Sequence, residues 1–571
     1  MVYGSPPQLP GPSAHLHPPV DSRTPLRRHN MSSSFLAAAG HRPNDVAHAV
    51  PLPPPVVLPP PKPKPQAEAP SRSPKPKVTP SKAVSSETAK KTQTPLGWPP
   101  GSNVLRERDL GDSLDEQEPQ GGRPKGALAV GGASIALVVT LQALATMAAP
   151  EPPPPPSPDV GSTIDAADTS WMLVATALVL VMMPGLGLFE AGLLRAKNSV
   201  SVLMQVFAGL SILSILWFTV GFSLCFSTTD YGLYGSLEHL LLIGITTSPF
   251  PAAPTIPGDL FVAFQGMFAT ITPLLCTGAF AERLKFEAFV AFAILWSLVV
   301  YYPLCHLIWG GGWLSQIGVV DFAGGIVIHT SAGVASLVTA IKLGPRNGFN
   351  GLDSSSLAPH NLPMAAVGAG LLWAGWFGFN AGSALTTGGV ASSTLLTTHI
   401  AGSTGTLIWL VLDWVHVGKP TFVGVINGAL SGLAGVTPAS GFVTPVSGAA
   451  IGLICGVSSY AGVLLFKEYL RIDDALDVSS VHGVTGVVGS LLIGIYASEE
   501  VNGIEAGPAQ LGAQAIGVLV AMVWSAIGTS LVMNSIEAVM GITRVGRDEE
   551  RKGLDRSHHG ESSYLDLHAL V

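Results

Sequence analysis

From Trp171 onward the chain alternates apolar runs of about 16 to 32 residues with short polar or glycine-rich joints, the pattern of a polypeptide that crosses a lipid bilayer repeatedly. The runs cover Trp171 to Leu194, Val202 to Phe226, Leu260 to Ala281, Phe286 to Ile308, Gly324 to Ile341, Pro363 to Leu385, Leu395 to Val415, Phe422 to Val436, Gly448 to Phe466, Val481 to Tyr496 and Leu511 to Ile542. They predict eleven transmembrane helices in an all-α polytopic membrane protein. At 1.5 Å per residue the last is long enough to cross strongly tilted.

The segment before this region reads differently. Residues 1–126 are rich in Pro, Ser and Lys, with runs such as "PLPPPVVLPPPKPKPQ", and bury too little apolar surface to offset chain entropy, so a disordered tail is expected. Residues 127–149 are apolar and follow Arg123 and Lys125, as a signal-like segment or one extra transmembrane helix would. A linker, 150–167, leads to a membrane domain over 168–543 and a C-terminal tail over 544–571.

Composition agrees: 47% of the 571 residues are hydrophobic and 12% charged, about half the charged share of a soluble domain, with a mean hydropathy of +0.43. The net charge of -7 matters less than its placement. Between Trp171 and Thr543 the basic residues are Arg195, Lys197, Arg283, Lys285, Lys342, Arg346, Lys419, Lys467 and Arg471, all at joints that follow an odd-numbered helix. By the positive-inside rule those joints and the "RVGRDEERKG" stretch are cytoplasmic, giving an N-out, C-in core. Cys225, Cys276, Cys305 and Cys455 sit in apolar runs without metal-ligand spacing, so neither a disulfide framework nor a metal site is implied.

Two internal echoes pick out a candidate site. "DFAGGIVIHTSAGV" and "DALDVSSVHGVTGV" share Asp, seven residues, His, three residues, Gly-Val, pairing Asp321 with Asp474 and His329 with His482. "GLGLFEAG" from Gly185 is echoed by "GWFGFNAG" from Gly375. A five-helix unit is odd, so its two copies run in opposite senses: an inverted repeat, with the site at the interface near mid-membrane. Two-fold symmetry then sets His329 opposite His482, where each ring can satisfy the other and share one proton as a relay. The bland alternative is two packing histidines, each satisfied separately. His306, His399 and His416 lack an echo and read as packing or interfacial residues, and Glu190, Asp413 and Glu537 as helix-end acids paired with backbone or cations.

The stretch from about Asp168 to Tyr564 resembles the ammonium transporter family (Amt/Mep/Rh), microbial Amt type. The motifs that carry the resemblance include "GLLRAKN", "AFQGMFATIT", "GAFAERLKF", "WGGGWLSQIGVVDFAGGIVIH", "PHNLPM", "GWFGFNAGSA", "GVTPASGFV", "IDDALDVSSVHGVTG" and "GLDRSHHGESSY". The resemblance implies the ammonium transporter fold, with eleven helices assembled as a homotrimer and a pore in each subunit. It also implies Trp309, Ser383 and Phe268 as the ammonium recruitment site, Phe268 and Phe379 as a gate, and His329 and His482 as twin pore histidines. Asp321 would be a structural and electrostatic carboxylate, expected independently to cap the helix it precedes. Phe264 and Gln265 would line the pore wall. Core packing for the phenylalanines and an interfacial belt position for Trp309 remain the competing readings.

The implied activity is uptake of ammonium through the cell (plasma or inner) membrane, with no cofactor and no nucleic acid. Membrane lipid and a PII-type regulator at the cytoplasmic face are the implied partners. Alternatives are an electroneutral NH3/CO2 channel of Rh type, or an ammonium sensor that keeps the transporter fold. An enzyme is disfavoured, since no HExxH, GxSxG or intramembrane carboxylate cluster is present.

Overall fold

A computed structural model describes residues 163–228, 232–541 and 543–564. The readings for 1–126, 127–149 and residues 150–162 of the linker lie outside the described residues. Eleven apolar helices form the membrane region: α1 (Ala166–Leu193), α2 (Ala196–Phe226), α3 (Gly258–Phe280), α4 (Phe286–Gln316), α5 (Gly325–Leu343), α6 (Leu362–Gly382), α7 (Gly389–His416), α8 (Phe422–Val436), α9 (Pro445–Tyr469), α10 (Ser479–Tyr496) and α11 (Pro508–Met540). Ten are long and apolar enough to cross a bilayer, whereas α8, at 15 residues, falls short of the roughly 20 that an upright span needs.

The shortfall has a visible cause. After Val436 the chain turns through buried residues Thr437 to Val443, and this turn fastens other elements: Phe322 N–H donates to the Pro438 carbonyl at 3.0 Å, and the Trp376 indole to the Thr437 hydroxyl at 2.9 Å. The start of α1 also differs from expectation, preceding Trp171 by more than a turn. Its first turn is polar and so hidden from a hydropathy pattern, but the Asp165 side chain caps it by accepting from the Ala167 and Asp168 N–H groups.

Helix α3 lies at the centre, with 89% of its apolar window buried, and α7 at the periphery with 33%. The partners within each echo pack together: α1 lies along α6, and α5 crosses α10. Both contacts depend on glycine. A Cβ on Gly192 would sit 2.5 Å from the Ala365 nitrogen, and one on Gly333 would sit 2.1 Å from the Gly483 Cα. Small residues let helix backbones approach where lipid supplies no hydrophobic drive.

The joints that carry basic residues meet on one face. Glu282 binds Arg195 at 2.7 Å and Arg346 at 3.4 Å, Asp473 binds Arg346 at 2.8 Å and Arg283 at 3.1 Å, and Arg544, after α11, binds Glu550 at 3.0 Å. Glu550 belongs to a short terminal helix, α12 (Arg547–Lys552). Burial would raise the Asp473 carboxyl, but the guanidiniums of Arg346 and Arg283 overcome that and hold it at about 2. Glu282 is likewise held below its ordinary value, against burial, by Arg346 and Arg195.

Candidate functional site

The two echoed histidines meet. His329 Nδ1 and His482 Nδ1 are 3.2 Å apart, with ring centroids at 5.1 Å and planes inclined by 29°. Both rings are almost fully buried. A hydrogen bond at that distance needs one Nδ1 to carry the proton and the other to accept it, so in the neutral pair the two rings are different tautomers. Local backbone explains how they converge. His329 lies in a π-helical turn, Gly325–Thr330, at the start of α5, and His482 in another, Ser479–Val484, at the start of α10. A π turn widens the helix by one residue and re-aims its side chains. The Gly333–Gly483 crossing, less than two turns further along α5, sets the separation.

Asp321 precedes the first of these turns. Its Oδ1 accepts from the N–H groups of Gly324 (2.8 Å) and Gly325 (2.7 Å), and its Oδ2 from Ile326 (2.7 Å) and Val327 (3.0 Å). Four donors at a helix start, which would otherwise be orphaned in a dry interior, share one carboxylate. The Asp321 carbonyl in turn accepts the indole N–H of Trp309 at 2.8 Å. Trp309 is 7% exposed, too enclosed for an aromatic-belt position.

From Trp309 a ladder of rings descends to the histidines. Trp309 meets Phe268 edge-on at 6.1 Å, Phe268 overlaps Phe379 at 4.3 Å with a 30° tilt, and Phe379 stacks on His329 at 6.2 Å. Ser383 lies one turn beyond Phe379 on α6, and its hydroxyl donates to the Phe379 carbonyl at 2.8 Å. Phe264 meets Phe268 edge-on at 4.9 Å and fills the space over Gly382, where a Cβ would lie 2.9 Å from its ring. Gln265, 6% exposed, is its neighbour on α3. A narrow cavity of about 20 Å³, room for about one water, adjoins the histidines, walled by Phe379, Trp376, Leu275 and Phe189 among others and by neither Phe264 nor Gln265. Phe264 backs the Phe268 ring instead.

Trp376 was not singled out by sequence reasoning, yet it touches both histidines, stacking on His329 at 5.6 Å and lying parallel to His482 at 6.5 Å. The signal was available: Trp376 is three residues before Phe379, which places both on one helical face. The acidic residues behave less uniformly than expected. Glu190 is buried and binds the Thr277 hydroxyl at 2.7 Å, with no cation beside it among the described residues, and Asp413 accepts from the Thr421 hydroxyl at 2.5 Å. His306 packs with its Nδ1 on the Cys225 carbonyl at 2.9 Å, His399 lies against Trp373 and Phe377, and His416 binds the Tyr460 hydroxyl at 3.1 Å.

A family model described as Ammonium Transporter Family matches residues 170–564. Ammonium transporter 1 of Dictyostelium discoideum is 47% identical over 411 residues, covering 71% of this chain and 88% of that protein. Among solved structures, Mep2 of Saccharomyces cerevisiae superposes with a TM-score of 0.65 at 33% identity, covering 72% of this chain and 94% of its own. A structure titled Sensor Amt Protein gives 0.64 at 32% identity, covering 69% and 98%.

Proposed function

The chain belongs to the ammonium transporter family, a multi-pass integral membrane protein, and from that premise we propose that it takes up ammonium by separating each cation into ammonia and a proton. The imidazole pair at 3.2 Å, on the wall of an apolar cavity whose lining includes Phe379, the ring that overlaps Phe268, is the observation that carries this reading.

Ammonium holds its proton well above neutral pH, as a lysine side chain does, so it arrives as a cation. The indole of Trp309, with Phe268 beside it, attracts such a cation by about 0.5–2 kcal/mol, and Ser383 offers a hydroxyl oxygen to an N–H that a bare metal ion lacks. Recruitment alone discriminates weakly. Carrying the charge onward through the apolar cavity costs at least about 2.5–3.5 kcal/mol. Below the Phe268 and Phe379 rings the cation hands its proton to an unprotonated ring nitrogen of the imidazole pair, which avoids that cost, and ammonia then passes His329 and His482 while the proton moves on separately through the pair. Potassium and sodium have no proton to shed, so they are rejected at this step. Asp321 holds the start of α5, and with it His329 and the Trp309 indole, in register. In this reading the protein works as a homotrimer with one pore per subunit, and a PII-type protein regulates it at the face where Arg195, Arg346 and Arg544 gather.

A second reading has a specific observation behind it, the likeness to the chain titled Sensor Amt Protein, and would make ammonium binding a signal rather than a flux. The test is electrical. Ammonium applied to one side of a bilayer containing the purified protein should evoke a current that His329→Ala or His482→Ala reduces at least tenfold. Uptake without charge movement would overturn the charge-separating scheme in favour of electroneutral conduction. Binding without uptake or current would favour the sensor.

A further inference from the structure

Adjoining the histidine cavity is a second set of buried polar groups that the scheme above does not use. Glu190 follows the cavity-lining Phe189 on α1 and is 2% exposed. It is held by the Thr277 hydroxyl and the Gly278 backbone, with no basic partner among the described residues. A Cβ on Gly278 would lie 3.0 Å from Glu190 Oε1 and 3.3 Å from Leu476 Cβ, and the Leu476 N–H donates to the Gly278 carbonyl at 3.1 Å, so Glu190 lies against the loop that carries Asp474 and Asp477. Asp474 is 1% exposed; its Oδ2 accepts the Ser479 N–H at 2.6 Å, and its Oδ1 has no hydrogen-bond partner among the described residues. The Asp477 N–H donates to the Asp474 carbonyl at 3.3 Å, and Asp477, bound by Lys467 at 2.6 Å, opens on the large cavity between the α5–α6 and α9–α10 joints.

We propose that Glu190, Asp474 and Asp477 form a proton exit path leading from the edge of the histidine cavity to the joint cavity. It deepens the charge-separating reading and rests on it. A buried carboxylate without a cation is costly unless it carries a proton for part of the time, and an unpartnered oxygen such as Asp474 Oδ1 is a place where a bridging water can be held. Burial and the nearby Asp477 raise the Asp474 carboxyl above its ordinary value, which lets it hold a proton closer to neutral pH.

The transfers balance. The Glu190 carboxylate takes up the proton that arrives from the histidines and becomes a neutral acid. It then passes that proton to Asp474 and regains its charge, and Asp474 does the same toward Asp477. Release from Asp477 into the joint cavity restores its ion pair with Lys467, which favours departure. Three carboxylates stand at the end as at the start, and ammonia is unchanged throughout.

Glu190→Gln tests this, because the amide oxygen can still accept from Thr277 while the group can no longer be protonated and deprotonated. In proteoliposomes the ammonium-evoked current of Glu190→Gln should fall at least tenfold and recover at least in part in Glu190→Asp, while ammonia permeation measured by an internal pH dye is retained. A Glu190→Gln protein that carries the wild-type current overturns the path. Where that variant fails to assemble, Asp474→Asn carries the same test, its amide oxygen still able to accept from Ser479. Absence of current in the wild type would sink the charge-separating reading itself, an outcome distinct from a wild-type current that these variants leave untouched.

Discussion

Helices α5 and α10 begin from one pattern and anchor themselves by different means. At the start of α5 the Asp321 carboxylate takes four backbone N–H groups and has no capacity left over. At the start of α10 the equivalent Asp474 takes one, from Ser479, and leaves an oxygen unpartnered. The anchoring there passes to its neighbour Asp473, which is tied to Arg346 and Arg283. A saturated carboxylate is a structural part, because a proton on either oxygen would displace the backbone N–H donors held there. An unsaturated one is free to exchange a proton. The two halves thus place their histidines symmetrically while reserving one carboxylate for the backbone and the other for chemistry.

The largest expected effect separates these roles. Asp321→Ala strips four buried donors of their acceptor and should destabilise the protein by about 4 kcal/mol or prevent its assembly, whereas Asp474→Ala should cost about 1 kcal/mol. Thermal unfolding of the detergent-purified variants measures the gap, and equal losses would break the comparison.

A smaller effect is expected at the crossing that joins the halves. Gly333→Ala drives a methyl into the Gly483 backbone, 2.1 Å from its Cα, while a Cβ on Gly483 would approach Gly333 no closer than 3.0 Å. Gly333→Ala should therefore cost about 1–3 kcal/mol and part the histidines, with Gly483→Ala the milder of the two by unfolding and by ammonium current.

Acid provides the third comparison. The Asp473 carboxyl lies at about 2 in the folded protein against an ordinary 3.8, so the stability it contributes is fully present above about pH 4 and is lost as pH falls through about 2. The contribution is about 2 kcal/mol. Acid unfolding of Asp473→Asn should be less steep over that window than that of the wild type, and an unchanged profile would mean that α10 is anchored elsewhere.

The chain on its own specified a good deal of this protein. A bilayer leaves apolar helices almost no alternative, so their all-helical character and approximate positions are visible as hydropathy, and an inverted repeat betrays its two histidines by an identical distance from an aspartate. Only the tertiary structure decided the rest. The eighth apolar run already ended at Val436, but hydropathy could not show that the stop lets Thr437 and Pro438 hold Trp376 and Phe322, because that need arises from helices distant in sequence. The pattern that paired Asp321 with Asp474 could not reveal their unequal saturation, since this depends on which donors each loop presents. Nor could it show that Glu190 of α1 lies against Gly278 and the loop that holds Leu476 and Val478, a proximity created only by packing.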